Sequence, residues 1–337
     1  MSGGAAVLLD APGTVRLAPH TPRPPGPGEA QVRVHAAGIC GSDRELYLGS
    51  RPAPYARYPV TPGHEWSGTV VEVGAGVPEA LAGRKAVGEG FRNCQVCARC
   101  RTGQTTLCEA GYAETGFTEP GAMAPTLTLP ARLLHPLPDE ADLDAAALLE
   151  PAACVAAAAL RAGVRPGDRV AVVGDGTLGM LALRLLAAGS PAELLATGAR
   201  PERAALAAAF GATGYRHHQE TDGLGGYDVV VEAAGAAGSA RQAAGLLRRG
   251  GRLVLTGLPP AAGPGLDPAA LVLGQAEVHT VFGAPPAAWA HAVRTFACGL
   301  LDPLPLVTHR LPLHDFEKAV ALTGGGDPAV GKILLHP

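Results

Sequence analysis

The chain has 337 residues, enough for two domains and a well-buried core. Its formal net charge is -3, from 27 basic and 30 acidic residues without a run of like charge, which argues against a nucleic-acid or membrane partner. Glycine (46 residues) and proline (31 residues) are abundant, but a hydrophobic content of 47% is too high for a disordered chain.

The N-terminal sequence Met1-Ser2-Gly3-Gly4 lacks the basic and apolar regions of a secretion signal. Alanine-rich stretches are interrupted by proline, glycine or charge before they reach membrane-spanning length. We therefore expect a soluble, cytoplasmic protein. Its seven cysteines should be thiols or metal ligands, because a disulfide framework fits poorly with an odd number and with this compartment.

Residues 1–145 are predicted to be rich in β-structure. Short stretches of alternating apolar and polar residues, such as 30–35 and 68–73, are separated by turns rich in proline and glycine. An alanine-rich helical segment then runs from Asp144 to Arg161, and Pro151 is expected to end or kink that helix.

Strands and helices alternate after this segment, which predicts βαβ units and a parallel sheet. Strands are expected at 169–173, 193–197, 228–232, 252–256 and 277–282, and helices at 178–188, 201–210, 239–249 and 286–298. The sequence predicts an α/β protein in which a doubly wound parallel-sheet domain, residues 146–285, is inserted into a β-rich domain formed by residues 1–145 and 286–337.

A glycine-rich motif, Gly174-Asp175-Gly176-Thr177-Leu178-Gly179, follows the first strand of this inserted domain and opens a helix. This is the context in which G-x-G-x-x-G binds a dinucleotide pyrophosphate at a helix N-terminus. The alternative is a tight turn without a ligand. The βα units that follow favour the dinucleotide.

The end of the second strand of the inserted domain, predicted at 193–197, indicates which dinucleotide binds. Gly198 stands where an acid usually holds the ribose 2′-OH of NAD, so no carboxylate at this position would repel a 2′-phosphate. Arg200 and Arg203 could pair with that phosphate, although both could simply be exposed residues at a helix start. The sequence favours NADP(H), and NAD(H) stays open.

Four cysteines in the lobe formed by residues 90–110 have metal-ligand spacing. Four thiolates can surround one zinc ion, and closed sites of this kind are structural. An iron–sulfur cluster is the alternative. However, seven residues separate the third cysteine from the fourth and Glu109 follows the fourth, whereas the common bacterial motif has three residues there and a proline after the last cysteine. The four predicted ligands of a structural zinc are Cys94, Cys97, Cys100 and Cys108.

A second constellation includes candidate ligands of a catalytic zinc. Cys40 follows a strand, and His64 precedes another; cysteine and histidine are residues that zinc prefers, and a catalytic zinc takes three protein ligands. Glu65 and Glu150 are both candidates for the third ligand. Glu150 lies in an otherwise apolar segment, where a bare carboxylate is unfavourable unless it is paired or binds a metal.

The order of these motifs resembles the zinc-dependent medium-chain dehydrogenase/reductase family over nearly the whole chain. The motifs are Gly-Ile-Cys-Gly-Ser-Asp at 38–43, Gly-His-Glu at 63–65, the four-cysteine lobe, Glu150-Pro151 and the glycine-rich loop. The Glu-Pro pair is similar to the sorbitol and threonine dehydrogenase branch. Segments around His64 and at 105–138 resemble 2-deoxy-scyllo-inosamine dehydrogenases.

The resemblance implies a GroES-like catalytic domain with an inserted Rossmann domain, two zinc ions per chain, NADP or NAD, and a homodimer or homotetramer. It implies that Cys40 and His64 bind the catalytic zinc and that Glu65 and Glu150 supply or exchange the remaining carboxylate. Ser42 would pass the substrate proton outward. Members of the family often carry a histidine where this chain has Glu45, so either Glu45 or water would continue the proton relay.

The expected activity is oxidation of a secondary alcohol of a polyol, amino-polyol or aminocyclitol, or the reverse reduction. One alternative is an NADPH-dependent ketone or imine reductase of a secondary-metabolite pathway, such as antibiotic biosynthesis. The other is a non-catalytic nucleotide-binding relative.

Overall fold

The computed structural model describes residues 4–259 and 263–337. The first three residues of the N-terminal stretch examined for a secretion signal therefore lie outside the described residues. Two compact units are present: one comprises residues 1–150 and 285–337, and the other comprises residues 151–284. The predicted domain boundaries, 145/146 and 285/286, stay a prediction.

The first unit is built mainly from β-strands. Its N-terminal part contains, in chain order, β1 (Ala5–Ala11), β2 (Thr14–Pro19), β3 (Glu29–Ile39), α1 (Gly41–Leu48), β4 (Glu65–Val73), β5 (Lys85–Gly88), α2 (Ala98–Arg101), β6 (Thr126–Pro130), β7 (Leu134–Pro136) and α3 (Leu143–Ala146). The helix α4 (Leu149–Ala162) leads from this unit into the second.

The second unit alternates strands and helices. These elements are β8 (Arg169–Val173), α5 (Thr177–Ala187), β9 (Glu193–Gly198), α6 (Ala204–Ala209), β10 (Gly214–His217), β11 (Tyr227–Glu232), α7 (Ser239–Gly245), β12 (Leu247–Leu255), α8 (Pro268–Gly274) and β13 (Glu277–Thr280). The chain then completes the first unit with α9 (Pro286–Ala297), β14 (Val307–Pro312), α10 (Phe316–Gly324) and β15 (Lys332–His336).

The C-terminal strand completes the main sheet of the first unit. The strand order is β14-β15-β3-β4-β5-β7, and β6 pairs with β3. In this sheet β15 is antiparallel to β3, with Leu334 opposite Gly38. Residues almost 300 positions apart in the chain therefore become neighbours beside the end of β3. A core that includes Trp66, Phe117 and Met123 packs against this sheet.

The sheet of the second unit is parallel throughout, in the order β10-β9-β8-β11-β12-β13. The strand order changes direction at β8: the chain adds β9 and β10 on one side of it and then β11, β12 and β13 on the other. Ligands of open α/β sheets bind beyond the carboxyl ends of the strands at such a reversal. The glycine-rich motif begins there, because Gly174 directly follows β8.

Two predicted helices differ from those observed. Pro151 is the third residue of α4, so the helix does not end at this proline; the interruption falls at 147–148 instead. Proline is tolerated there because the first N–H groups of a helix have no intrahelical acceptor. The predicted helix 239–249 ends at Gly245, because Leu247 already pairs with Tyr227 in the sheet.

Several elements are missing from the sequence-based prediction. They include α1, which follows Cys40 directly, and the edge strand β10; the helices α2, α8 and α10 are also absent from the prediction. No helix in the described ranges is long and apolar enough to cross a membrane.

Candidate active site, zinc lobe and nucleotide-binding loop

Antiparallel pairing of β3 and β4 brings the two parts of the candidate catalytic metal site together. Gly38 of β3 lies opposite Glu65 of β4, so Cys40 and His64 lie at adjacent strand ends. One ligand atom from each of Cys40, His64 and Glu65 lies within 4.8 Å of the others. A Cβ atom at residue 38 would be 2.3 Å from Oε2 of Glu65, so this position requires glycine.

The buried carboxylate of Asp43 orients His64. Its Oδ2 accepts a hydrogen bond of 2.9 Å from the backbone N–H of Cys40, and its Oδ1 lies 3.5 Å from Nδ1 of His64. Neither Asp43 Oδ1 nor His64 Nδ1 has a hydrogen-bond partner among the described residues, although both are buried. Metal binding at Nε2 would place the proton on Nδ1, facing Asp43, as in carboxylate–histidine–zinc triads. The residues therefore fit zinc.

The charge around His64 also favours a cation. Burial alone would lower the pKa of His64, but the negative charge of the adjacent Asp43, with contributions from Cys40 and Glu150, raises it well above its ordinary value. The hydroxyl oxygen of Ser42 lies 3.4 Å from Nε2 of His64. The predicted proton-relay residue is thus beside the predicted ligand.

Lys332 binds Glu65 and was not identified from the sequence. Its Nζ lies 2.8 Å and 2.6 Å from the two carboxylate oxygens of Glu65 and also donates to the backbone carbonyl of Ile39 at 3.1 Å. Both side chains are buried. Burial lowers the pKa of Lys332, but the charges of Glu65 and Cys40 outweigh it and raise that pKa. The side chain of Glu65 is therefore fixed by Lys332, with its carboxylate close to the candidate metal ligands.

Glu150 lies in the first turn of α4. Burial raises its pKa to about 7; the charge of His64 lowers that pKa, whereas the charges of Glu65 and Glu114 raise it. Negative charge thus accumulates beside Cys40 and His64, an arrangement that a divalent cation would stabilise. Glu150 is not part of the three-residue cluster within 4.8 Å, so Glu65 is the carboxylate with ligand-like proximity in this structure.

A charged and aromatic layer covers the other side of His64. The ring of Phe117 lies 4.6 Å from the imidazole, and the guanidinium of Arg51 lies 3.7 Å from the centre of the Phe117 ring. Arg51 also lies 3.5 Å from Glu114 and donates to the hydroxyl of Tyr112 at 2.9 Å. Glu114 and Tyr112 were not singled out in the sequence, because neither belongs to a recognisable motif.

The four cysteines of the lobe converge as predicted from their spacing. Their sulfur atoms lie within 4.8 Å of one another, and all four are free thiols. Backbone N–H groups of Cys94, Cys97 and Cys100 point at sulfur atoms of the cluster over 3.4–3.5 Å. Such N–H donors stabilise thiolates, which are the form that binds zinc.

Substitution of Cys100 by serine is expected to remove one tightly bound zinc per chain and to destabilise the lobe by several kcal/mol, because binding at a structural zinc site supplies folding free energy. Zinc content by atomic emission and the midpoint of thermal unfolding would measure this. Cys298→Ser is the matched control, since Cys298 is exposed and lies outside the lobe. Unchanged zinc content in Cys100→Ser would contradict a four-cysteine site.

The glycine-rich loop has the close packing that its motif requires. Gly174 has a φ of +124°, and a Cβ atom at Gly179 would lie 1.9 Å from the carbonyl oxygen of Gly174. No side chain fits at residue 179. Gly176 precedes α5, and the first N–H groups of a helix have no intrahelical acceptor, so those of Thr177 and Leu178 are available to a ligand at the helix N-terminus.

A carboxylate does lie at the end of β9, contrary to the interpretation of Gly198 from sequence. It belongs to Asp175 of the glycine-rich loop, whose Oδ2 would be 2.2 Å from a Cβ atom at residue 198. Arg200 binds Asp175 through a 2.6 Å ion pair, and Tyr215 donates to it at 2.9 Å. Arg203 is buried rather than exposed, and its side chain donates to the backbone carbonyl of Asp175 at 3.0 Å.

Comparison with known proteins agrees with this geometry. Residues 26–139 match the alcohol dehydrogenase GroES-like domain, and residues 177–297 match the zinc-binding dehydrogenase family. The chain belongs to the zinc-dependent medium-chain dehydrogenase/reductase family. The predicted family, the fold class and the expected cofactors, zinc with NAD or NADP, are confirmed.

Two similar proteins are named as dehydrogenases of small polar compounds, and a third is a zinc-binding dehydrogenase with bound NADP. The chain is 32% identical to an erythritol/L-threitol dehydrogenase of Mycolicibacterium smegmatis, covering 98% of this chain and 97% of the relative. It is 28% identical to an L-threonine 3-dehydrogenase of Coxiella burnetii, with coverage of 98% and 97%. A zinc-binding dehydrogenase structure from Sinorhizobium meliloti, bound to NADP, superposes with a TM-score of 0.92 at 27% identity and covers 100% of both chains.

Proposed function

We propose that this enzyme is a zinc-dependent, NAD(P)-linked dehydrogenase that oxidises a secondary alcohol of a polyol, amino-polyol or aminocyclitol, or reduces the corresponding ketone. The observation that carries the proposal is the cluster of Cys40, His64 and Glu65, with ligand atoms within 4.8 Å and with the buried Asp43 behind His64. Three ligands leave one position of a tetrahedral zinc for substrate.

Charged groups beside the cluster support a polar substrate. Arg51, Glu114 and Tyr112 form a partly buried network that is linked to His64 through Phe117. Such groups can hydrogen-bond the hydroxyl and amino groups of a polar substrate, whereas a simple apolar alcohol offers them no further partner. The activities named for the erythritol and threonine relatives fit the same class of substrate.

When bound, zinc supplies Lewis acidity toward the alcohol oxygen, and the dinucleotide supplies a hydride acceptor. The residues of the chain orient the metal ligands and transfer the proton. Asp43 fixes the tautomer and orientation of His64, and Lys332 holds the carboxylate of Glu65 in place. Ser42 accepts the hydroxyl proton as it gives up its own proton to the half-buried Glu45 or to water, which passes it outward.

Cofactor reduction, followed by nicotinamide absorbance with NAD and NADP separately, tests this function across simple alcohols, polyols, amino-polyols and aminocyclitols. Turnover is expected with members of the last three groups and not with short apolar alcohols. Turnover confined to apolar alcohols would contradict the proposed substrate class. An aminocyclitol among the best substrates would support a role in antibiotic biosynthesis.

We propose that the pair of Asp175 and Arg200 sets the preference between NAD and NADP. Asp175 would repel a 2′-phosphate, whereas Arg200 would attract one if it turned away from Asp175. Asp175→Asn is therefore expected to raise the ratio of kcat/KM for NADP to kcat/KM for NAD by about tenfold or more, which corresponds to about 1.4 kcal/mol or more between two charges at a partly exposed site.

Arg200→Gln is the opposing variant and is expected to move the same ratio towards NAD. Glu202→Gln serves as the control, because Glu202 is an exposed acid in the same segment. Equal ratios for the wild type, Asp175→Asn and Arg200→Gln would show that this pair has no part in cofactor choice.

A second candidate function is an NADPH-dependent ketone or imine reductase of a secondary-metabolite pathway. The observation in its favour is Arg200 at the end of β9, together with the NADP bound to the Sinorhizobium meliloti relative. Tight NADPH binding without oxidation of any alcohol in the panel would favour this reductase. A homodimer or homotetramer is also proposed, and light scattering would measure it.

A further inference from the structure

Two histidines and an aspartate meet outside the candidate zinc sites. His35 lies on β3, His336 on β15, and Asp144 on α3. Oδ1 of Asp144 lies 3.1 Å from Nε2 of His35 and 3.6 Å from Nε2 of His336. One ligand atom from each residue lies within 4.8 Å of the other two. The two imidazole rings pack edge to face, with centres 5.3 Å apart.

The hydrogen bond at Nδ1 of His336 leaves Nε2, the other ring nitrogen, without a positively charged partner in the described residues. Its Nδ1 lies 3.0 Å from the backbone carbonyl of His35, and a carbonyl oxygen only accepts, so Nδ1 carries a proton. In the neutral ring, Nε2 then has a lone pair. Yet Nε2 is buried, has no hydrogen-bond partner in the described part of the chain, and faces the carboxylate of Asp144. A lone pair facing a carboxylate is unfavourable unless a cation or a proton lies between them.

The distances fit a metal ion. Bonds of about 2.0–2.2 Å from a tetrahedral zinc place neighbouring ligand atoms about 3.3–3.6 Å apart. The separation of 3.6 Å between Asp144 Oδ1 and Nε2 of His336 lies at the upper end of that range, and the hydrogen-bonding distance of 3.1 Å to Nε2 of His35 lies just below it. We propose that His35, Asp144 and His336 form an additional zinc site, separate from the catalytic and structural sites, with the remaining position open to water.

Neighbouring contacts orient Asp144 for this role. Nε of Arg310 lies 2.5 Å from Oδ2 of Asp144, which leaves Oδ1 directed at the two imidazoles. Ligating carboxylates are commonly held by such a second hydrogen bond. Burial raises the pKa of Asp144, but the hydrogen bond and charge of Arg310 and the charge of His336 outweigh it and hold that pKa below its usual value. His35 is exposed by 46%, so an ion can enter from solvent.

The site would join three parts of the first unit. It links the third strand, the segment just before α4, and the C-terminal strand, whose Lys332 holds Glu65. Zinc at this position would therefore stabilise the pairing of β15 with β3. The site shares no residue with the cluster of Cys40, His64 and Glu65, so it has no part in the proposed catalytic step.

Isothermal titration with Zn²⁺ tests the proposal on the full chain, without a histidine tag and with its tightly bound zinc in place. Wild type is expected to take up one more Zn²⁺ per chain than His336→Gln and to gain thermal stability from added zinc, which the variant does not. His314→Gln is the matched control, because this histidine is 66% exposed and lies outside the cluster. It should bind Zn²⁺ as wild type does.

Equal uptake by wild type and His336→Gln would overturn the proposal. Titration of the His336 ring by NMR supplies a second readout. A ring that stays doubly protonated near neutral pH in the presence of Zn²⁺ would also overturn it, because a proton would then occupy the position of the metal. Alcohol oxidation by His336→Gln is expected to match that of wild type.

Discussion

Replacement of His64 by alanine is expected to lower kcat/KM for the preferred alcohol by about 1,000-fold or more. Lewis-acid stabilisation of the developing alkoxide is worth several kcal/mol, and about 4 kcal/mol corresponds to this factor. His64 is the ligand that Asp43 orients. Its loss removes the imidazole and leaves the buried carboxylate of Asp43 without the group that it orients. Cys40→Ala should have an effect of the same order. Steady-state kinetics under cofactor saturation would measure both.

The control for this experiment is His314→Ala, which removes an exposed imidazole from the same unit. Zinc analysis should show one fewer tightly bound ion in His64→Ala, while the four-cysteine lobe keeps its own. Circular dichroism should show that the variant is folded. Turnover within a few-fold of wild type, in a variant that lacks this zinc, would exclude the proposed mechanism.

Motifs with fixed local spacing could be predicted from the sequence. The four-cysteine cluster needs no knowledge of distant contacts, because its ligands fall within one lobe. The glycine-rich loop follows a strand and opens a helix, so its conformation is determined by adjacent residues. The βα alternation likewise predicted the parallel sheet, since each unit buries an apolar strand between helices.

Contacts between distant residues could not be predicted in this way. Lys332 reaches Glu65 only because β15 pairs with β3, and nothing in the sequence around Lys332 indicates that pairing. Asp175 fills the space beside Gly198 from another loop, so the absence of an acid at residue 198 did not mean the absence of a carboxylate. Interpretation of one position from its residue type fails when a neighbouring loop supplies the missing group.

Two helix boundaries differ from those predicted from residue type. The segment 246–249 has residues that a helix tolerates well, yet β12 begins at Leu247 because the pairing with Tyr227 satisfies its backbone. Proline usually breaks a helix, but Pro151 lies within the first turn of α4, where its missing N–H removes no intrahelical hydrogen bond. Propensity is a weak guide to the end of α7, because a tertiary contact outweighs it, whereas the effect of Pro151 depends on its position within its helix.

Replacement of Lys332 by methionine is expected to destabilise the first unit by about 3–5 kcal/mol. Methionine fills a similar volume, so the main change is that the buried carboxylate of Glu65 loses its partner, and breaking a buried ion pair from one side costs about this much. Both side chains are at most 5% exposed, so water cannot replace the ammonium group. The midpoint of denaturant-induced unfolding would measure the loss.

A double-mutant cycle separates the ion pair from other effects of the substitution. Glu65→Gln combined with Lys332→Met leaves no unpaired charge, so the double variant is expected to be more stable than Lys332→Met alone. Lys332→Arg is the conservative control and should keep most of the stability, because it retains the positive charge. If Lys332→Met and the double variant lost equal stability, the ion pair would not hold Glu65 in place. In that case packing around residue 332, and not its charge, would position the carboxylate beside Cys40 and His64.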